Sequence, residues 1–443
     1  MKTYPGTPVA DLADGSGRNR HTAAVSDGPD GTAAAEAALA RGDLVAAEEL
    51  GRAALHDEGS LAARLILAQA LAWQGRGRDA DAVLSEVDES ALDDTDLIAW
   101  ALPRAANQFW MLNQPERATA FLQSVRGRVT SAGAGATLDA LLGTFTMNAG
   151  SPERAIQLAR EVLSSPTADQ QAVGWAASAA ALCNARMGNF ADVDALAERA
   201  IAAGHPGLLR FTSAFGQTTA LVMSGALDRA HRLAKDLVDA SPPTHPSHPI
   251  GQLLVADVSI ARGDPADAVP MLETAAAALA PTGYSWGPLA WMLLAQALGQ
   301  LGRTADAGRV LAKAEARHGL KSMLFAPELS VARAWTAAAR RDAPGAVNAA
   351  REAARAAERG GQSAVALRAL VDAVRLGDLR AGDAIERLNV HCVVSPLALA
   401  YARALTAGDA DALQEAATGF EAIGMRGVAA DALRQAQSCR VGG

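Results

Sequence analysis

The stretch "ALARGDLVAAEEL", residues 38 to 50, returns as "SIARGDPADAVPML" at 259 to 272 and as "ALTAGDADALQEA" at 404 to 416. In each copy an alanine-rich segment ends at a glycine, and an aspartate precedes the next segment. A glycine in the left-handed conformation stops a helix, and an Asp side chain after it caps the free amides of the next helix. Each copy is therefore predicted to be the turn of a helical hairpin.

The same kind of turn recurs along the whole chain. It is predicted at Gly42, Gly77, Asn113, Gly150, Gly188, Gly225, Gly263, Gly302, near Arg341, at Gly377 and at Gly408. Successive turns are 31 to 39 residues apart. A period of this length is typical of solenoids in which each hairpin buries its apolar face only against its neighbours. We predict an all-α superhelical solenoid of about eleven hairpins over residues 32–443.

Small side chains recur at a fixed distance from these turns. Five residues after the turn stand Ala47, Ala82, Ala118, Ala155, Ala230, Ala268 and Ala307. We expect them where the second helix of a hairpin presses on the first. In the clearest unit the series Trp291, Leu294, Ala295, Leu298, Gly302, Ala307, Leu311 and Ala314 resembles the tetratricopeptide repeat position by position. The whole chain is therefore expected to be tetratricopeptide-like.

Composition narrows the classes of partner. The 443 residues carry a formal charge of -8, which disfavours direct contact with nucleic acid or an anionic membrane. Residues 1–31 have hardly any large apolar side chains and are predicted to be a disordered tail. They contain no signal-peptide core, and the apolar stretch from Leu289 is too short to span a bilayer, so a cytoplasmic protein is expected.

A family resemblance appears at the C-terminal end. The segment Tyr401 to Gln437, with its element Phe420, Glu421, Ile423 and Gly424, resembles the end of the helical-repeat region in large LuxR-type ATP-binding transcription regulators of actinobacteria. The opening from Thr32 is similar to the start of the same region, so the likeness spans roughly residues 32–437. It implies a tetratricopeptide-like regulatory region. The chain has no G-x-x-x-x-G-K-[ST] motif and stops where a DNA-binding domain would begin, so neither ATP nor DNA binding is implied.

Motifs for catalysis or metal binding are not found in the sequence. It lacks HExxH, paired CxxC, GxSxG and a dinucleotide-binding fingerprint, so we expect no enzyme, no cofactor and no metal. His245 and His248 stand in a proline-rich loop, where a rigid connector is favoured over a metal site because no Asp, Glu or Cys flanks them.

The inner surface of the superhelix is the candidate site. In this repeat type the first helix of each hairpin lines that surface at about 13, 10, 6, 3 and 2 residues before the turn. These offsets select Trp100, Asn107, Trp110, Met111, Thr144, Met147, Asn148, Trp175, Phe215, Thr219 and Met223. They predict a groove for an apolar or peptide ligand, although tryptophans at such positions also pack between hairpins.

Two functions remain open from the sequence. The first is a non-catalytic regulatory or sensor module that binds a protein or peptide partner, or a small effector molecule, in this groove. The second is a passive tetratricopeptide scaffold that assembles proteins without an effector.

Overall fold

The computed structural model describes residues 31–204, 208–243, 245 and 247–442. The predicted tail of residues 1–31 lies outside this part of the chain, except for Gly31, which opens the first helix. The described residues form α-helices joined by short turns, with no strand among them. The fold is all-α, as predicted.

Helices pair into consecutive antiparallel hairpins. In chain order the pairs are α1 (Gly31–Ala40) and α2 (Leu44–Glu58), α3 (Leu61–Trp73) and α4 (Gly77–Ser85), α5 (Asp94–Ala106) and α6 (Pro115–Arg126), α7 (Ala132–Asn148) and α8 (Pro152–Ser164), α9 (Gln170–Met187) and α10 (Val193–Ala202), α11 (Leu209–Met223) and α12 (Leu227–Asp239), α13 (Ser247–Arg262) and α14 (Pro265–Leu279), α15 (Trp286–Gln300) and α16 (Thr304–Arg317), α17 (Ala326–Ala339) and α18 (Ala343–Arg359), α19 (Ser363–Arg375) and α20 (Ala381–Arg387), α21 (Val394–Ala407) and α22 (Ala410–Ala422). Helix α23 (Arg426–Gly442) packs on the last pair.

Three short segments complete the chain order. A 3-10 turn spans Glu89–Ala91, a π-helical turn spans Asn107–Met111 directly after α5, and a 3-10 segment spans Leu320–Phe325 before α17. The helices thus form a tetratricopeptide-like solenoid of hairpins, and α23 covers its last unit.

The first helices of the hairpins form the inner layer and the second helices the outer layer. Helix α15 is buried along nearly its whole length, from Trp286 through Gly299. Its partner α16 buries only one stripe, made of Ala307, Val310 and Ala314. A helix that is apolar on all sides belongs between other helices, while an amphipathic one faces water on one side.

The turns have the predicted left-handed geometry, with one correction. Gly42 and Gly263 have φ values of 77° and 96°, and Asn113 and Arg341 adopt the same region at 54° and 62°. The turn predicted at Gly77 is wrong, because Gly75 has the positive φ, at 80°. Gly77 is instead the first residue of α4.

The buried alanines confirm this correction. Ala118, Ala268 and Ala307, five residues after their turns, are fully buried as predicted. Ala82, predicted from Gly77, is exposed, whereas Ala80, five residues after Gly75, is fully buried. Two nearby glycines fit the period equally well, and only the packing distinguishes them.

Capping by the residue after the turn occurs in part of the hairpins. The Asp43 carboxylate accepts from the amide of Ala46 at 3.1 Å, and Asp409 caps α22 in the same way. Ser151 and Asp264 make no such bond, and prolines occupy the first position of the helices that follow them. Proline has no N–H to satisfy, so less capping is required there.

The superhelix closes so tightly that its successive turns touch. A β-carbon at Gly75 would lie 2.5 Å from the Pro281 carbonyl oxygen, and one at Gly427 would lie 2.7 Å from the Gly263 Cα. The Arg186 guanidinium reaches Glu328 at 2.7 Å, with only 2 % of its side chain exposed. Each contact joins segments about five repeats apart, so the inner surface is largely covered by the following superhelical turn.

Candidate functional site

One large cavity, of about 600 Å³, lies where two superhelical turns face each other. One wall comes from the first helices α3, α5, α7 and α9, together with the π-helical turn. The opposite wall comes from the beginnings of α11 and α15 and from the 3-10 segment before α17. The cavity therefore depends on how the superhelix closes, in addition to the fold of any single hairpin.

Seven of the eleven predicted site residues line this cavity. They are Asn107, Trp110, Met111, Thr144, Met147, Asn148 and Trp175. All of them come from α5 with its π-helical turn, from α7 or from α9, which are neighbours in the inner layer. The offset rule thus brings these seven side chains together on one surface.

The other four predicted residues do not line it. Trp100 is fully buried between hairpins, where its indole N–H donates to the Leu84 carbonyl at 2.8 Å. Phe215 packs behind the far wall, with its ring centroid 5.8 Å from that of Trp286. Thr219 and Met223 are buried because the next superhelical turn covers the inner face of α11.

The misplaced turn at Gly77 concealed four further lining residues. Counted from the true turn at Gly75, the offsets of 10, 6, 3 and 2 select Leu65, Gln69, Ala72 and Trp73, and all four line the cavity. The sequence therefore contained the signal for this part of the site.

The far wall follows a different register. Leu209, Trp286 and Phe325 line the cavity, and each stands 16 residues before its own turn, at Gly225, Gly302 and Arg341. This position lies at or next to the beginning of a first helix. Side chains there reach across to the preceding superhelical turn, which the offsets for a single inner surface do not describe.

A π-helical turn shapes the near wall. Pro103 has no N–H to donate within α5, and the ladder then widens, so that the amide of Leu112 donates to the Asn107 carbonyl at 2.9 Å. The resulting bulge brings Asn107, Trp110 and Met111 to the cavity. Such single π-turns inside helices frequently occur at functional sites.

Gly77 has a packing role beside this bulge. A β-carbon at Gly77 would lie 2.5 Å from the Met111 Cβ, so a larger residue would push α4 away from the π-helical turn. The Asn107 side-chain amide donates to the Gly77 carbonyl at 2.8 Å. The glycine thus allows the close approach that fixes Asn107.

Aromatic rings make up much of the walls. Trp110 packs edge-on against Phe145 at 5.3 Å and tilts against Tyr284 at 5.7 Å. The indole N–H of Trp73 donates to the Tyr284 hydroxyl at 3.2 Å and so joins the two superhelical turns. Burial raises the pKa of Tyr284 to about 12, with the Trp73 hydrogen bond acting the other way, so the phenol stays neutral.

Charged side chains stand behind the walls and do not line them. Lys321 is 8 % exposed, and its ammonium donates to the Trp110 carbonyl at 2.8 Å. Burial lowers the pKa of Lys321 to about 8. The Arg186 guanidinium lies 5.2 Å from the Phe325 ring centroid, on the side where it pairs with Glu328. The lining itself contains no Asp, Glu, Lys, Arg or His among the described residues.

The lining groups suit reversible binding. They are hydrocarbon and aromatic carbons with a few amides and hydroxyls. Within the described part of the chain, no three His, Cys, Asp or Glu side chains are grouped as metal ligands, and no helix is both long and apolar enough to cross a membrane. Cys183 is fully buried, and burial raises the pKa of its thiol to about 12.

Comparisons with known proteins give likenesses of overall shape. A Rap protein complexed with competence and sporulation factor is 12 % identical, with a TM-score of 0.48 over 86 % of this chain and 98 % of the other. The Cut9-Hcn1 hetero-tetramer of APC/C gives 15 % and 0.33 over 93 % of each chain. A tetratricopeptide repeat protein from Parabacteroides merdae gives 15 % and 0.38 over 67 % and 95 %. No protein-family model and no curated protein matches the chain.

Proposed function

We propose that this chain is a non-catalytic sensor module, in which a small apolar effector occupies the cavity and a protein or peptide partner responds to its occupancy. The cavity between two superhelical turns is the observation that carries the proposal. Its volume of about 600 Å³ falls in the range of about 300–1,000 Å³ found for small-molecule sites. An extended peptide would need a longer, open groove.

The position of the cavity supplies the regulatory step. Trp110 lies on one superhelical turn and Trp286 on the next, so an occupant that touches both favours the closed superhelix. A ligand shifts a conformational equilibrium only through such differential contacts. Occupancy would then change the pitch of the superhelix and thereby the surface offered to a partner.

The relationship to LuxR-type regulators belongs to the same proposal. The support is the resemblance of residues 32–437 to their helical-repeat region, with Phe420 and Gly424 in its last part. In the structure Phe420 is fully buried and Gly424 forms the left-handed turn before α23, with a φ of 79°. The proposed module would act as the effector-sensing section of such a regulator, without direct contact to nucleic acid.

Tryptophan fluorescence tests the proposal directly. Trp73, Trp110, Trp175 and Trp286 line the cavity, so titration of the folded protein with a panel of uncharged apolar metabolites should give a saturable change for at least one of them. Trp110→Leu should weaken that response by at least about ten-fold, because it removes a wall of the site.

The matched control is Trp335→Leu, since this tryptophan lies outside the cavity lining. It should leave the affinity unchanged. If the folded protein gives no saturable response to any compound, the passive scaffold is the better description of the chain.

A further inference from the structure

We infer that the cavity selects an uncharged, flat molecule that donates a hydrogen bond to Oδ1 of Asn107. This inference rests on the proposed function and specifies the ligand class for the same site. Three independent features of the lining support it: its charge, its ring surfaces and its unused acceptor.

The absence of charge from the described lining excludes a buried charged ligand group. An ion that leaves water needs a counter-charge or several strong hydrogen bonds in its new site. Lys321, behind the wall, already donates to the Trp110 carbonyl and lines a separate, smaller cavity. Arg186 is held by Glu328 at 2.7 Å and by Gln362 at 2.5 Å. Neither cation is directed at an occupant of the larger cavity.

The ring surfaces favour a flat molecule. Trp73, Trp110, Trp175, Tyr284, Trp286 and Phe325 line the cavity, in a chain that is only 4 % aromatic. Aromatic rings stack in offset or edge-on arrangements with other rings, and these contacts add to the gain from apolar burial. A flat conjugated molecule can meet several of these rings at once.

Asn107 supplies the directional contact. Its side chain is 4 % exposed, and its Nδ2 donates to the Gly77 carbonyl at 2.8 Å. That bond fixes the orientation of the amide, since the reversed amide would place oxygen against oxygen. The Oδ1 atom has no hydrogen-bond partner. A buried acceptor without a donor is unfavourable, so a ligand N–H or O–H gains affinity there.

The neighbouring polar side chains do not offer competing hydroxyl donors. Thr144 donates to the Ala140 carbonyl at 3.2 Å, and Ser285 donates to the Lys321 carbonyl at 2.6 Å. Asn148, like Asn107, directs its amide nitrogen to a backbone carbonyl, that of Thr144, at 2.9 Å. Since these donors are engaged with the backbone, the floor of the cavity presents acceptors more than donors. The preferred ligand is accordingly a donor.

Three naphthalenes of similar size provide the test. At neutral pH, 2-naphthol is flat, uncharged and has one O–H, 2-methoxynaphthalene lacks the donor, and 2-naphthoate is charged. In isothermal titration calorimetry we expect 2-naphthol to bind about ten-fold more tightly than the ether, the ratio that one hydrogen bond supplies. The carboxylate should bind most weakly.

Two variants assign the difference to Asn107. Asn107→Leu should reduce the affinity for 2-naphthol to that for the ether, and leave the ether's affinity unchanged. Asn184→Leu is the matched control, because Asn184 is equally buried, donates to the Ala180 carbonyl and does not line the cavity. It should keep the ten-fold ratio. If Asn107→Leu fails to fold, the ratio in the unmodified protein still decides.

The outcomes separate this inference from the proposed function. Equal binding of 2-naphthol and the ether, or tighter binding of 2-naphthoate, would overturn the ligand class while saturable binding still supported a sensor cavity. If none of the three compounds binds saturably to the folded protein, the ligand class and the proposed function both fail.

Discussion

Substituting Gly427 by alanine tests whether successive superhelical turns touch. Gly427 is the second residue of α23, and its φ is not positive, so an isolated helix would gain up to about 1 kcal/mol from the alanine. In the folded chain the new β-carbon would lie 2.7 Å from the Gly263 Cα. Both atoms belong to backbone, and no flexible side chain can move aside.

The structure predicts that the clash dominates. A carbon–carbon contact is comfortable at about 3.5–4.0 Å, so the two turns would have to separate by roughly 1 Å. Overpacking of this kind typically costs about 1–3 kcal/mol. After subtraction of the propensity gain, Gly427→Ala should lower the free energy of unfolding by about 1–2 kcal/mol.

Gly382→Ala is the matched control. Gly382 is also the second residue of a helix, α20, and its β-carbon would meet the Ala402 Cβ at 3.8 Å, an ordinary contact. This variant should be neutral or more stable than the unmodified protein, by up to about 1 kcal/mol. The two substitutions therefore have opposite expected signs although their local helix positions are the same.

Urea denaturation and hydrogen exchange together measure the effect. Long repeat arrays can lose two-state cooperativity, so the urea midpoints are compared alongside local amide protection. Gly427→Ala should increase exchange both in α23 and in the turn between α13 and α14, which lies about 160 residues earlier and contains Gly263. If Gly427→Ala is as stable as Gly382→Ala, or the distant turn keeps its protection, the inferred contact between turns is wrong.

Three further predictions concern particular side chains. Because burial lowers the pKa of Lys321 from 10.5 to about 8, the unfolded chain binds this proton more tightly, and the free energy of unfolding should rise between about pH 8 and about pH 10.5, by at most about 3 kcal/mol. Lys321→Met should remove this rise in pH-dependent urea denaturation. Trp100→Ala should cost about 3–5 kcal/mol because Trp100 is fully buried, yet any folded fraction should keep the ligand affinity that Trp110→Leu loses. The Cys183 thiol, with its pKa raised to about 12 by burial, should react with a thiol reagent in urea and resist it in the native protein.

The repeat architecture could be predicted from local chemistry. A left-handed turn needs glycine or a tolerant residue, and a close helix pair needs alanine, so both leave marks at fixed spacing. Ala118 and Ala307 were placed correctly for this reason, and both are fully buried. At Gly75 and Gly77 the period fitted either glycine, and the distinction required Ala80 and Ala82 to be compared by burial. An error of two residues in the turn moved Trp73 out of the predicted site.

The closure of the superhelix could not be predicted in the same way. Its contacts join residues such as Gly263 and Gly427, or Trp73 and Tyr284, that are separated by well over a hundred positions. The pitch of a solenoid accumulates from small rotations between neighbouring units, and a one-sequence pattern does not encode those rotations. This is why Thr219 was expected on an open surface and lies buried under the next turn.

The candidate site shows both limits in one place. Its near wall follows offsets of 2 to 13 residues before each turn, which derive from the repeat itself and were available from the sequence. Its far wall, with Leu209, Trp286 and Phe325, uses a position 16 residues before the turn that becomes part of a site only when the superhelix closes. A single hairpin therefore has half of the binding surface, and binding should report on closure. If a variant such as Gly427→Ala loosens the contact between turns at the distant end of the superhelix, ligand affinity should fall in parallel with amide protection near Trp286. A fall in stability with no change in affinity would mean that the cavity is closed by local contacts alone, such as the hydrogen bond from Trp73 to Tyr284.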